Sequence, residues 1–144
     1  MITGIYSAFR SVFSAEAEEA GFPFPIFSGT DVSSLSFPCV VFSLKLTARA
    51  EPMKANRTFD CVANFSLFLQ PEQWTREEIE SNVSRLAVLV GGVDRAELNL
   101  AAADYGVSFY SGLKLSTISA PTLSTVGNVE MLTVGIDAET VVQF

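Results

Sequence analysis

The chain has 144 residues, 49% hydrophobic, and at that length folding buries roughly two-thirds of the unfolded surface, so a single domain spanning 1–144 with a real core is expected. Nine Lys and Arg stand against sixteen Asp and Glu, for a net charge of −7. That balance argues against a grip on nucleic acid or on anionic lipid, both of which need clustered cations. Charged residues are only 17% of the chain while Phe occurs twelve times. Such a composition fits either a surface partly covered by partners or simply a Phe-rich core.

Residues 1–20 read as an amphipathic helix: Ile2, Ile5, Tyr6, Phe9, Val12 and Phe13 follow the helical period and form one apolar stripe. Glu16, Glu18 and Glu19 crowd its last turn, where they oppose the helix dipole, and Gly21 stops it. Arg10 interrupts the apolar part and no basic region precedes it, so a secretory signal ending at Ala15-Glu16-Ala17 is not expected. Residues 22–38, opening on Phe22-Pro23-Phe24-Pro25, cannot be helix interior and read as an extended connector.

Two alternating segments follow. Val40, Phe42, Leu44 and Leu46 face one way, with Ser43, Lys45 and Thr47 opposite. Phe59, Cys61, Ala63, Phe65, Leu67 and Leu69 alternate with Asp60, Asn64, Ser66 and Gln70. Period-two alternation predicts a half-buried antiparallel pair, here a long β-hairpin whose tip covers residues 48–57. The tip and its base hold Lys45, Arg49, Lys54 and Arg57, four of the nine basic residues, with only Glu51 close in sequence. We take these five residues as the candidate contact with a neighbouring subunit or partner; a solvated loop is the plain alternative. Cys39 and Cys61 form no C-x-x-C pair and do not fall opposite one another, so both are expected to be buried free thiols.

Thr75-Arg76-Glu77-Glu78 is a capping box, with Trp74 and Ile79 placed for a hydrophobic staple. The helix it starts puts Ile79, Val83, Leu86 and Val90 on one face and stops at Gly91-Gly92. Its first-turn acids, Glu77, Glu78 and Glu80, are accounted for by the dipole. Residues 94–104 fit either a short helix or a loop. Val107 to Tyr110 begins a strand, Leu113 to Ile118 continues extended, and Pro121 to Asn128 reads as a turn. Leu132, Val134, Ile136 and Ala138 mark a last strand. The predicted fold is therefore α+β in the order α-β-β-α-β-β, a mostly antiparallel sheet packed by an N-terminal and a central helix. The longest apolar stretch, Leu86 to Val93, is far shorter than the ~18 residues of a membrane span.

Chemistry is hard to place on this chain. It has no His, which removes the Ser-His-Asp and Cys-His arrangements and most zinc sites. No phosphate-cradling Gly-rich loop and no calcium loop occurs. No catalytic residue, cofactor or metal is therefore expected, and a carboxylate or thiol enzyme would have to show itself as acids converging with raised pKa values.

The N-terminal helix, the lead-in Phe37-Pro38-Cys39-Val40-Val41 to a hairpin reaching Leu69, the capped helix and the closing segment Glu130-Met131-Leu132-Thr133-Val134-Gly135-Ile136 resemble the tail terminator or minor tail protein family of long-tailed bacteriophages. The likeness covers most of the chain and is one of architecture. It implies a hexameric ring of the chain itself, which caps the tail tube protein and meets the head-completion (neck) proteins, with DNA passing through the lumen without sequence-specific binding. It also implies a virion protein made in the host cytoplasm, with no cofactor and no membrane partner. A head–tail connector or neck protein of the phage is the nearest alternative, and a non-viral protein-binding module the next.

Overall fold

The computed structural model describes residues 2–29, 36–49, 58–126 and 128–144. The fold is α+β. In chain order the elements are α1 (Ile2–Ala20), β1 (Ile26–Ser28), β2 (Cys39–Ala48), β3 (Thr58–Leu69), α2 (Arg76–Gly91), α3 (Arg95–Ala102), β4 (Ser108–Phe109), β5 (Lys114–Ile118), β6 (Thr122–Val126) and β7 (Val129–Gln143).

The sheet is built on β3, whose twelve residues pair antiparallel with β7 on one side while β2 runs antiparallel along the other. β1 adds a short parallel strand beside Val40–Phe42. The far side of β7 is shared out along its length: β4 takes its C-terminal end, β5 its middle and β6 its N-terminal end. The alternation in β3 sends Cys61, Ala63, Phe65, Leu67 and Leu69 into the core and leaves Val62, Asn64, Ser66 and Phe68 on the other face. The three helices contribute the rest of the core from one side: Ile5, Phe9 and Phe13 of α1, Leu86 and Val90 of α2, and Leu98 of α3 are all buried.

At the centre, aromatic rings from both layers interlock. Phe13 meets Phe65 edge-on at 4.8 Å between centroids, Phe42 lies 5.8 Å from Phe65, and Phe9 stacks on Phe109 at 5.8 Å. Such pairs add to the burial of each ring. Every one of the twelve Phe side chains is buried or half-buried; most pack in or against the core, while Phe68 meets Phe37 edge-on at 6.2 Å on the other face.

The capping box of α2 is present as predicted: the Thr75 hydroxyl accepts from the Glu78 N–H, and the Glu78 carboxylate accepts from the Thr75 N–H. Cys39 and Cys61 are buried free thiols, facing Phe68 and Leu46 across the strands.

The order of elements is longer than α-β-β-α-β-β. The connector contains β1, held where the Val40 N–H donates to the Pro25 carbonyl at 2.9 Å. The ambiguous stretch 94–104 is α3, capped by Asp94, whose carboxylate accepts from the Glu97 N–H at 2.8 Å, followed by a 3-10 turn at Ala103–Tyr105. The expected turn at Pro121 to Asn128 contains β6. Its alternating Thr-Leu-Ser-Thr-Val run is bracketed by turn residues, which masked it; Asn128, at φ 67°, supplies the positive-φ backbone of a tight hairpin.

Candidate interaction surfaces

The base of the β2–β3 hairpin comes first. Lys45 is exposed on the helix-free face opposite Val62. Arg49 donates to the Asp60 carboxylate at 2.9 Å, with both side chains about half exposed. Glu51, Lys54 and Arg57 lie outside the described residues. Asp60 is thus a partner for Arg49 that a search along the sequence alone passes over; the strand register reveals it, because Thr47 faces Asp60 and Arg49 is two residues on. A groove of about 460 Å³ opens here, and its charges alternate: Arg49, Asp60, Lys114 and Glu139.

The middle of the sheet face opposite the helices carries a polar network. The Asp137 carboxylate accepts from the Asn64 amide at 2.7 Å and from the Thr117 hydroxyl at 2.9 Å, and Ser66 donates to the Asn64 oxygen at 2.9 Å. Beside this chain, Ser119 and Gly135 exchange two hydrogen bonds of 2.8 Å, one through the Ser119 hydroxyl and one through its backbone N–H. The network crosses three strands and binds β5 to the middle of the sheet.

The sheet margin is of opposite character. Ile118 faces Ile136, and Leu123 faces Leu132, so both lie on the helix-side, apolar face. Yet Leu115, Ile118 and Leu123 are exposed, Leu123 at 61%. Leu115 still lies against Gly91 of α2, but beyond it the apolar face runs on past the helices and ends uncovered at Ile118 and Leu123. The outer edges of these two strands bond to no other strand among the described residues. At the opposite margin, β2 extends beyond β1 from Ser43 to Ala48, where the Leu44 N–H donates to the Tyr6 hydroxyl.

The fourth surface lies where α1 ends and α3 begins. Glu16 and Glu97 come within hydrogen-bonding reach, and the Glu16 carboxyl is pushed up to about 7. The hydrogen bond with Glu97 contributes most, followed by burial, then the negative charges of Glu97, Glu19 and Asp94. Raised acids were the mark set for a carboxylate enzyme. Here only Glu16 is raised, and the crowding of four acids at a helix corner accounts for it; the adjoining groove of about 490 Å³ is lined by Phe22, Val88 and Leu89 together with Glu16, Ser84 and Arg85. The sequence signal was the late acids of α1, visible only as an unfavourable helix end until α3 was placed against them.

Burial also pushes the Cys39 thiol up to about 11 and the Cys61 thiol up to about 12, so neither is a thiolate nucleophile near neutral pH. Among the described residues no three His, Cys, Asp or Glu side chains are grouped to hold a metal ion, and no helix is long and apolar enough to cross a membrane. No protein-family model and no curated protein matches the chain.

Proposed function

We propose that the chain is a structural protein of a long-tailed phage virion that works by binding other proteins: a tail terminator that closes into a hexameric ring, caps the tail tube and joins it to the neck proteins. The observation that carries this is the uncovered margin of β5 and β6. Exposed Ile118 and Leu123, beside strand edges that bond to no other strand among the described residues, form a surface that stays soluble poorly on its own and is stabilised by a neighbour. The other margin, on β2 beyond β1, bonds to no further strand among the described residues and is a different surface on the opposite side of the sheet. Contacts between two different surfaces are head-to-tail, and they close into a ring when the rotation between subunits permits. The architectural resemblance to tail terminators supports the same assignment. The net charge of −7 suits a lumen through which DNA slides without being held.

Native mass spectrometry across a range of concentrations, with and without purified tail tube protein, tests the assignment. A closed hexamer is the expected species, alone or on the tube end. A tight dimer that ignores the tube would overturn it in favour of a non-viral binding module.

A further inference from the structure

A third groove, of about 420 Å³, opens where the connector meets the first half of α2. Pro23, Phe24 and Trp74 wall it, the two rings edge to face at 5.6 Å, and Ser81 and Asn82 of α2 line it beside them. Asn82 is only 7% exposed, yet its amide has no hydrogen-bond partner among the described residues. A buried amide without a partner is costly, and its donor and acceptor side by side are the complement of a peptide group. The charged groups at the rim are largely engaged within the chain. Glu78 accepts from the Thr75 N–H and Arg85 donates to the Gly21 carbonyl, while Glu77 is exposed to water. The groove therefore suits an extended, uncharged segment with an apolar side chain.

The link between β5 and β6 has that character. Ser119, Ala120 and Pro121 are all exposed, flanked by Ile118 at 51% and Leu123 at 61%, and none of residues 118–123 is charged. Ser119 gives its N–H to the Gly135 carbonyl. Backbone groups of an extended chain point alternately to either side, and a residue before proline is held extended, so Ala120 turns its own N–H and carbonyl away from the sheet. The strand register puts link and groove on one level. Thr122 pairs with Thr133 and through it with Phe68, while Ile26, two residues after Phe24, pairs with Val40 and through it with Leu67. Both thus lie at the same end of the sheet but at opposite margins, with β2, β3 and β7 between them. A rotation about an axis along the strands brings the link of one copy to the groove of the next with no slide along the strands.

We propose that the groove receives residues 118–123 of a second copy of the chain, with Pro121 against Phe24 and Trp74 and the Ala120 backbone on the Asn82 amide. Within one copy the width of the sheet keeps the two apart. The contact joins two different surfaces and therefore propagates head-to-tail, as a ring requires. It rests on the ring assignment above and names the surface that receives the β5–β6 margin.

Ala120→Cys and Ser81→Cys, mixed under mild oxidation, test the contact, since the native thiols are buried. A disulfide between the two variants, and little within either alone, is expected. Ser81→Arg, a change at a position exposed in the single copy, should leave the melting temperature unchanged and weaken self-association by about tenfold, because it places a charge where the link would lie. If the wild type assembles but the mixed disulfide is missing, or Ser81→Arg assembles as the wild type does, the groove is not the receiving surface and the ring stands without it. A disulfide formed by Ala120→Cys alone would mean that two margins meet each other, and overturns the contact as well. If the wild type never assembles, with or without the tail tube, the ring assignment falls and this contact with it.

Discussion

Replacing Glu16 by glutamine should make the protein more stable, and more so at higher pH. In the folded chain the Glu16 carboxyl is raised from 4.5 to about 7 by its hydrogen bond with Glu97, by burial, and by the charges of Glu97, Glu19 and Asp94. Below about pH 4.5 both folded and unfolded chains hold this proton, and nothing is lost. Between 4.5 and 7 the unfolded chain releases a proton that the folded chain keeps, so stability falls as the pH rises, and above 7 the full cost is present. The corner is partly solvated, and screening leaves that cost at about 1 kcal/mol. Glutamine keeps the shape and can donate to the Glu97 carboxylate without forcing two charges together. Urea denaturation followed by the fluorescence of Trp74, the single tryptophan, measures the difference. Melts at about pH 5.5 and about pH 8 bracket the window from its lower part upwards. Glu16→Gln should exceed the wild type by about 1 kcal/mol at the higher pH, or about 3 °C in Tm, and by clearly less at the lower. An equal difference at both values, or a variant less stable at pH 8, would refute the placement of the two carboxyls.

Three further changes probe the fold. Phe65→Ala empties the ring at the centre of the aromatic cluster and should cost about 3–5 kcal/mol, read as a lower denaturation midpoint; a loss below about 1 kcal/mol would mean the cluster is not the core. Gly112→Ala would place its Cβ 2.7 Å from the Val93 carbonyl oxygen and 3.0 Å from the Asp94 Cα, both backbone atoms, so it should lower stability by about 1–3 kcal/mol; an unchanged melting temperature would show that the α2–α3 junction does not press against this loop. Thr75→Ala removes the cap of α2 and should cost about 1 kcal/mol, with Thr75→Ser close to wild type; equal stability of all three proteins would show that the cap contributes nothing.

The parts of the fold that sequence pattern revealed are those where local chemistry and tertiary role coincide. The stripe of α1, the alternation of β2 and β3 and the box at Thr75 each write their structure in consecutive residues. β6 was missed because Pro121 before it and Asn128 after it signal turns more strongly than five residues signal a strand. β1 has only three residues, too few for a period to be visible. The surfaces were harder still. That Arg49 is paired with Asp60 depends on strand register, and that Glu16 faces Glu97 depends on how α1 lies against α3, neither of which is encoded nearby in sequence.

The composition left open whether the abundant Phe served a core or a partner. The structure assigns most of it to the core, with Phe37 and Phe68 packed on one another at the other face, and no Phe is fully exposed. Beside Tyr105, Tyr110 and Val129, the exposed apolar groups among the described residues gather in two places: Leu115, Ile118 and Leu123 along the β5–β6 margin, and Val88 and Leu100 on the outer faces of α2 and α3. These two places make different demands on a neighbour. The margin offers unpaired backbone along with side chains, and so suits a strand laid alongside it. The helical corner offers side chains and a negative field instead. If both were used by the same kind of contact, a single charge reversal at Glu97 would abolish assembly outright. If they act separately, as the chemistry of each implies, Glu97→Lys should weaken assembly while a charge placed on the margin by Ile118→Lys should prevent it, because strand pairing tolerates a buried unpaired charge far less than a rim contact tolerates a reversed one.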